Sequence, residues 1–204
     1  MITIIDYGSG NIKAIANIYE KLKVPYTIAS SPEQVIGAKK IFLPGVGAFD
    51  ETMSKLDSTG FRKVLDKEVL ENNVPIMGIC VGMQILADSS EEGTCKGLGY
   101  IKGKVKKIDA NLILQKPKLP HLGWNSIEVL KNNELLKDID PDFGFYFLHT
   151  YYFECDDKNN ILATTNYGAT FASAVYRENV FGIQFHPEKS HQNGVKLLNN
   201  FANL

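Results

Sequence analysis

Over residues 1 to 90 the chain alternates short apolar runs with amphipathic stretches, and this alternation restricts the possible folds more than any other feature. Ile2 to Ile5, Tyr26 to Ala29, Lys40 to Leu43 and Val74 to Met77 are the apolar runs, each ended by turn-forming residues or a change of period. Between the first two, Ile12, Ile15, Ala16, Tyr19 and Leu22 recur at helical spacing, with Asn11 placed to cap the segment. Phe61, Val64, Leu65 and the run Glu68 to Leu70 suit a second helix, and Met83 to Ala87 the start of a third. Unbroken apolar strands joined by helices imply βαβ units, hence a parallel sheet covered on both faces.

After Gly97 the pattern changes. Gly99 to Ile108, Trp124 to Leu130, Phe145 to Phe153 and Ile161 to Thr165 read as β segments with few helices between them. Phe171 to Tyr176 and Val180 to Phe185 suit a hairpin around Arg177-Glu178-Asn179, and Val195 to Ala202 a closing helix. The expected fold is α/β: a flavodoxin-like, mostly parallel sheet with helices on both faces and an added antiparallel β section in the C-terminal half. A single domain over residues 1–204 is expected.

Charge and cysteine content remove several classes of function. The 22 Lys and Arg against 23 Asp and Glu leave no electrostatic footprint for nucleic acid or an anionic membrane. No apolar run has the length of a membrane span, and the N-terminus lacks the basic start of a signal peptide, so a cytoplasmic protein is expected. Cys80, Cys95 and Cys155 form no CxxC pair, which argues against a disulfide framework and a zinc site. No metal and no cofactor is expected.

Two glycine-rich turns invite a chemical reading. Gly8-Ser9-Gly10-Asn11-Ile12-Lys13 follows a strand and opens a helix, but Lys13 occupies the third small-residue position of a dinucleotide fingerprint, so a plain capping turn is the better reading. Gly78-Ile79-Cys80-Val81-Gly82 has the form of a nucleophile elbow with cysteine at its apex. Glycines allow the sharp turn, and a helix N-terminus beside the sulfur favours its thiolate. On these five residues alone, a buried structural cysteine on a tight turn is an equal alternative. Phe185-His186-Pro187-Glu188 supplies what a nucleophile needs. In an extended segment, residues two apart share a face, so Glu188 can reach the far nitrogen of His186. His121 and His149 have no carboxylate two residues on, His191 lies in a polar turn, and Cys95 and Cys155 lack an elbow, so these five rank lower.

These motifs, with Asp6 to Asn11, Pro44 to Phe49, Ser90 to Gly93, Pro120 to Asn125 and Phe147 to Tyr151, resemble the class I (triad) glutamine amidotransferases nearly end to end. Within them the resemblance is to glutaminase subunits that serve histidine biosynthesis. It implies Cys80 as nucleophile, His186 as general base and then acid, and Glu188 as its orienter. It also implies an oxyanion hole from the backbone of Val81 and of Val46 in the Pro44-Gly45-Val46-Gly47 loop, where Gly47 lets the peptide turn. Gln84, Glu92 and the backbone of Thr150 and Tyr151 match positions that hold L-glutamine. Asn11, Trp124, Tyr146 and Lys189 match the face that docks a (βα)₈-barrel cyclase in a heterodimer, although Trp124 would also suit a core. A related glutaminase that feeds a sugar amidotransferase in surface-polysaccharide synthesis would share the same catalytic half and remains the alternative.

Overall fold

The apolar runs of the N-terminal half become parallel strands. The computed structural model of the protein describes residues 1–204. It contains β1 (Ile2–Ile5), β2 (Tyr26–Ala29), β3 (Ile41–Gly45) and β4 (Ile76–Cys80). The chain then runs through β5 (Ser89–Ser90), β6 (Gly103–Lys107), β7 (His121–Asn125), β8 (Glu128–Val129) and β9 (Phe145–His149). It continues with β10 (Tyr151–Cys155), β11 (Ile161–Tyr167), β12 (Ala169–Arg177) and β13 (Val180–Ile183). The parallel part has the order β2-β1-β3-β4-β13, the flavodoxin-like arrangement. Every residue of β1, β3, β4 and β13 is buried, which is why these runs carry no polar alternation. β12, β10 and β6 extend the sheet antiparallel from β13, and β7 with β9 forms a separate antiparallel ribbon.

Five helices cover the sheet: α1 (Ile12–Lys21), α2 (Phe49–Thr59), α3 (Phe61–Asp66), α4 (Val81–Gln84) and α5 (His191–Asn203). α1 buries Ile15, Ala16 and Tyr19, and the Tyr19 hydroxyl donates to the Leu198 carbonyl of α5 at 3.1 Å. Phe42 of β3 packs edge-on against Phe201 of α5, with ring centroids 4.8 Å apart. Burial of a side chain of this size contributes roughly 1.5–3 kcal/mol. No helix is long and apolar enough to cross a membrane.

Several expected boundaries shift. The segment expected as one strand over 145–153 is two, β9 and β10, broken at Thr150 and assigned to different sheets. The stretch 124–130 likewise splits into β7 and β8 around Ser126-Ile127. Only Gly103 to Lys107 of the expected 99–108 strand pairs. The second helix ends at Asp66 and continues as a π-helical turn over Lys67–Glu71. α4 starts at Val81, earlier than expected, and lasts barely one turn. Asn11 occupies the N-cap position of α1, but its side chain makes no capping hydrogen bond. α2 escaped the sequence reading because its buried stripe includes a polar Thr52 among Phe49, Met53 and Leu56.

The turn from β4 into α4 depends on backbone contact at van der Waals limits. A Cβ on Gly82 would overlap the Leu43 carbonyl oxygen of β3, and one on Gly78 would overlap the Gly82 carbonyl. Gly82→Ala should therefore cost about 3 kcal/mol or more of unfolding free energy, because neighbouring backbone cannot yield. Gly8→Ala, with open space around it but a φ of +82°, should cost about 1 kcal/mol. Urea unfolding of both variants tests the contrast, and equal losses would contradict it.

Candidate active site

Strand register brings the chemistry-bearing residues together. Gly45 at the end of β3 lies beside Cys80 at the end of β4, and Ile183 of β13 lies beside Ile79. The segments leaving these strands, Val46-Gly47, Cys80-Val81 and Gln184-Phe185-His186, therefore meet at the carboxyl edge of the parallel sheet. Cys80 has φ 56° and ψ −113°, a conformation that a side-chain-bearing residue adopts only under constraint. The constraint holds the sulfur, on a buried residue, at the wall of a pocket of about 390 Å³.

His186 and Glu188 open on the same pocket. Here the local geometry differs from the extended segment expected: Pro187–Lys189 forms a 3₁₀ turn, with Pro187 at its first position. The turn still brings Glu188 Oε1 to 3.0 Å from His186 Nδ1, with both side chains buried. A carboxylate can only accept, so Nδ1 carries the proton and donates it, and Nε2 is left as the basic nitrogen. Nε2 and Glu188 Oε2 are buried without a hydrogen-bond partner. The His186 backbone is pinned as well: its N–H donates to the Tyr146 carbonyl, and its carbonyl accepts from Ser190 Oγ at 2.6 Å. Burial opposes a charge on His186, but the Cys80 sulfur and the Glu188 carboxylate outweigh it and raise its pKa to about 10. The Cys80 thiol points to the Leu148 carbonyl, 3.8 Å away, and shares one pocket with His186, the two groups between which a proton would pass to give a thiolate and an imidazolium.

The same pocket is lined by Val46, Gly47, Val81, Gln84, Glu92, Thr150 and Tyr151, together with Asn11 and Lys189, two of the residues expected to meet a partner. Gln84 Nε2 donates to the Tyr151 carbonyl at 2.9 Å and to Gln184 Oε1 at 3.1 Å. Glu92 Oε2 accepts from the Phe49 N–H at the start of α2 at 2.9 Å, which fixes the orientation of its side chain. Val46, expected as an oxyanion donor, instead gives its N–H to Ser9 Oγ at 3.0 Å, and the Ser9 hydroxyl donates back to the Val46 carbonyl at 2.9 Å. Trp124 and Tyr146 do not line the pocket. They are register partners on the β7–β9 ribbon, Trp124 is 43% exposed rather than in the core, and Lys189 Nζ lies 5.5 Å above the Tyr146 ring. His191, expected to be merely solvated, stacks flat on Trp124.

Sequence reasoning missed three contributors. Ser9 was seen only as part of a glycine turn, and its contact with Val46 spans 37 residues of chain. Asp50, in the first turn of α2, accepts from the Thr94 and Cys95 N–H groups and so ties down the loop after Glu92. Gln184 places its Nε2 3.8 Å from Cys80 Sγ. Of these, only Asp50 left a local signal, an acidic residue at a helix start.

Opposed titrations should shape the stability of the protein. Burial lowers His121 to about 4 and His149 to about 3, so both are neutral when folded yet bind protons at 6.5 when unfolded. Their contribution is complete above pH 6.5 and is lost as pH falls toward 4. His186, raised instead, contributes fully below 6.5 and loses its contribution as pH rises through about 10. Urea unfolding across this range should show a maximum near neutrality, with His149→Asn flattening the acid limb and His186→Asn the alkaline one. An acid limb unchanged by His149→Asn would contradict the assignment.

The family model for class-I glutamine amidotransferases matches residues 3–204. The chain is 50% identical to the imidazole glycerol phosphate synthase subunit HisH of Leptospira borgpetersenii, over the whole of both chains. It is 47% identical to the subunit of the same name from Bdellovibrio bacteriovorus, again over both chains entire. In fold, it is similar to the structure of PurLQS from Thermotoga maritima, with a TM-score of 0.76 at 18% identity, covering 99% of this chain and 97% of that one.

Proposed function

The chain belongs to the class-I glutamine amidotransferase family, and we propose that it is the glutaminase subunit of an imidazole glycerol phosphate synthase, acting through a Cys80-His186-Glu188 triad. The observation that carries this reading is the convergence of a strained cysteine elbow and a carboxylate-oriented histidine on one pocket. Residues 1–204 form a single glutaminase domain, working in the cytoplasm. The full-length identity to two proteins named as HisH subunits favours histidine biosynthesis over polysaccharide synthesis.

His186 Nε2 takes the thiol proton as Cys80 Sγ attacks the carboxamide carbon of L-glutamine. The imidazolium then protonates the departing nitrogen, ammonia leaves, and a γ-glutamyl thioester remains on Cys80. Water, deprotonated by the same His186, hydrolyses the thioester to glutamate and restores the thiol. Glu188 holds the tautomer and stabilises the imidazolium throughout. Gln84, Glu92 and the backbone of Thr150 and Tyr151 hold the amino-acid end of the substrate. Ammonia passes to a (βα)₈-barrel cyclase subunit, docked on the face that carries Asn11, Trp124, Tyr146 and Lys189. There it is consumed in making imidazole glycerol phosphate and aminoimidazole carboxamide ribonucleotide.

Cys80→Ala should abolish glutamate release from L-glutamine while leaving the partner complex intact, with Cys95→Ala retaining activity. Ammonium salts should restore the synthase reaction of the Cys80→Ala complex, since the nucleophile serves only to liberate ammonia. Glutamate release by Cys80→Ala would overturn the assignment, and activation by a sugar amidotransferase in place of the cyclase would move the protein to the other pathway.

The Ser9 bond to Val46 supports a gated site. With its N–H held by Ser9, Val46 leaves the tetrahedral oxyanion short of one donor, whose worth is about 3–4 kcal/mol or a factor of ~10²–10³. The isolated chain should be a weak glutaminase that is activated when the cyclase binds its ribonucleotide. Ser9→Ala should raise the unactivated rate by about tenfold, part of that factor. Glutamate release by the chain alone and by the complex, with and without the ribonucleotide, measures this; full activity of the isolated wild-type chain would exclude gating.

A further inference from the structure

Two buried histidines next to the pocket have no part in the triad. His121 of β7 and His149 of β9 are register partners, with His121 Nδ1 2.9 Å from His149 Nε2. Their protons can be assigned from the ends of the chain of contacts. His149 Nδ1 lies 2.8 Å from the Tyr151 carbonyl, which can only accept, so that nitrogen carries a proton and Nε2, in a neutral ring, does not. His149 Nε2 therefore accepts from His121 Nδ1. His121 Nε2, left bare, accepts from Asn125 Nδ2 at 3.2 Å, and the Asn125 amide is itself oriented by the Asn166 carbonyl at 3.0 Å. Both rings are neutral Nδ1–H tautomers, and His121 is clamped between the rings of Phe147 and Tyr167.

The Tyr151 carbonyl also decides what Gln84 presents. Because it only accepts, the Gln84 atom 2.9 Å away is Nε2, and the second hydrogen on that nitrogen goes to Gln184 Oε1. Both Gln84 donors are thus consumed inside the protein. Gln84 Oε1 is the polar atom of the amide left to the pocket that the residue lines. A free amide oxygen in the pocket that the Glu92 carboxylate also lines suits a cationic group, and the cation that L-glutamine offers is its α-ammonium.

We infer that His121 and His149 are positioning residues for substrate. By donating to the Tyr151 carbonyl, His149, itself bound by His121, holds it where it binds Gln84 Nε2 and leaves the Gln84 oxygen toward the pocket. The pair so tunes the affinity for the α-ammonium end of glutamine without touching the reacting atoms. This rests on the glutaminase reading, and the experiment separates the two. Glutamate release is measured with the chain assembled with its cyclase subunit, for wild type, His149→Phe and His149→Asn. His149→Phe removes the donor to Tyr151, whereas the Asn amide nitrogen can stand where Nδ1 stood.

The expected result is a KM for L-glutamine raised about tenfold in His149→Phe, as for loss of one hydrogen bond, with kcat within about threefold. His149→Asn should return KM to within about threefold of wild type, which a purely packing role for the ring would not produce. Equal KM rises in both variants, an unchanged KM in His149→Phe, or a fall in kcat alone would overturn the relay while leaving the glutaminase standing. If His149→Phe does not fold, His121→Phe carries the test: it retains a flat ring between Phe147 and Tyr167 but releases His149 Nε2, and should raise KM about threefold. No change there would equally overturn the relay. A wild-type complex that releases no glutamate would overturn the glutaminase reading itself.

Discussion

Everything at the carboxyl edge of the sheet depends on how closely the turn after β4 presses against β3. Gly82 lies so near the Leu43 carbonyl, and Gly78 so near Gly82, that no side chain fits at either position. That approach drives Cys80 into its positive-φ conformation and lets α4 begin directly beneath the sulfur. The neighbouring strands then need only end in register with β4 for Val46 and His186 to arrive at the same place. Strain at one residue is held by the packing of three strands that are buried along their whole length.

The Cys80 elbow and the His186–Glu188 contact were legible because each is local. A five-residue elbow and a histidine two residues from a glutamate can be read without knowing what packs on them. The parallel core was legible for a related reason, since strands covered on both faces advertise themselves as unbroken apolar runs. The reading of an extended His186-Pro187-Glu188 segment reached the right contact through the wrong backbone. A 3₁₀ turn beginning at Pro187 also returns the carboxylate to the imidazole.

What the sequence did not reveal depends on distant partners. Ser9 and Val46 meet across the β1–β3 crossover, and His121 and His149 meet only because the β7–β9 ribbon pairs in one register. Asp50 reaches the loop beyond Glu92 from a helix whose stripe was too polar to notice. The break at Thr150 is also tertiary in origin: β9 pairs with β7 in one sheet, and β10 with β6 and β12 in the other.

The ribbon formed by β7 and β9 has two very different sides. Leu122, Trp124 and Leu148 face outward and are exposed, while His121, Phe145, Phe147 and His149 face inward and are buried. Side chains alternate strictly along a strand, so slipping either strand by one residue would turn that strand's share of these side chains inside out. Trp124 would be driven into the core and the histidines into water. Length changes here are tolerable only in pairs. A ribbon with no catalytic atom of its own is thus as intolerant of a single-residue insertion as the elbow itself.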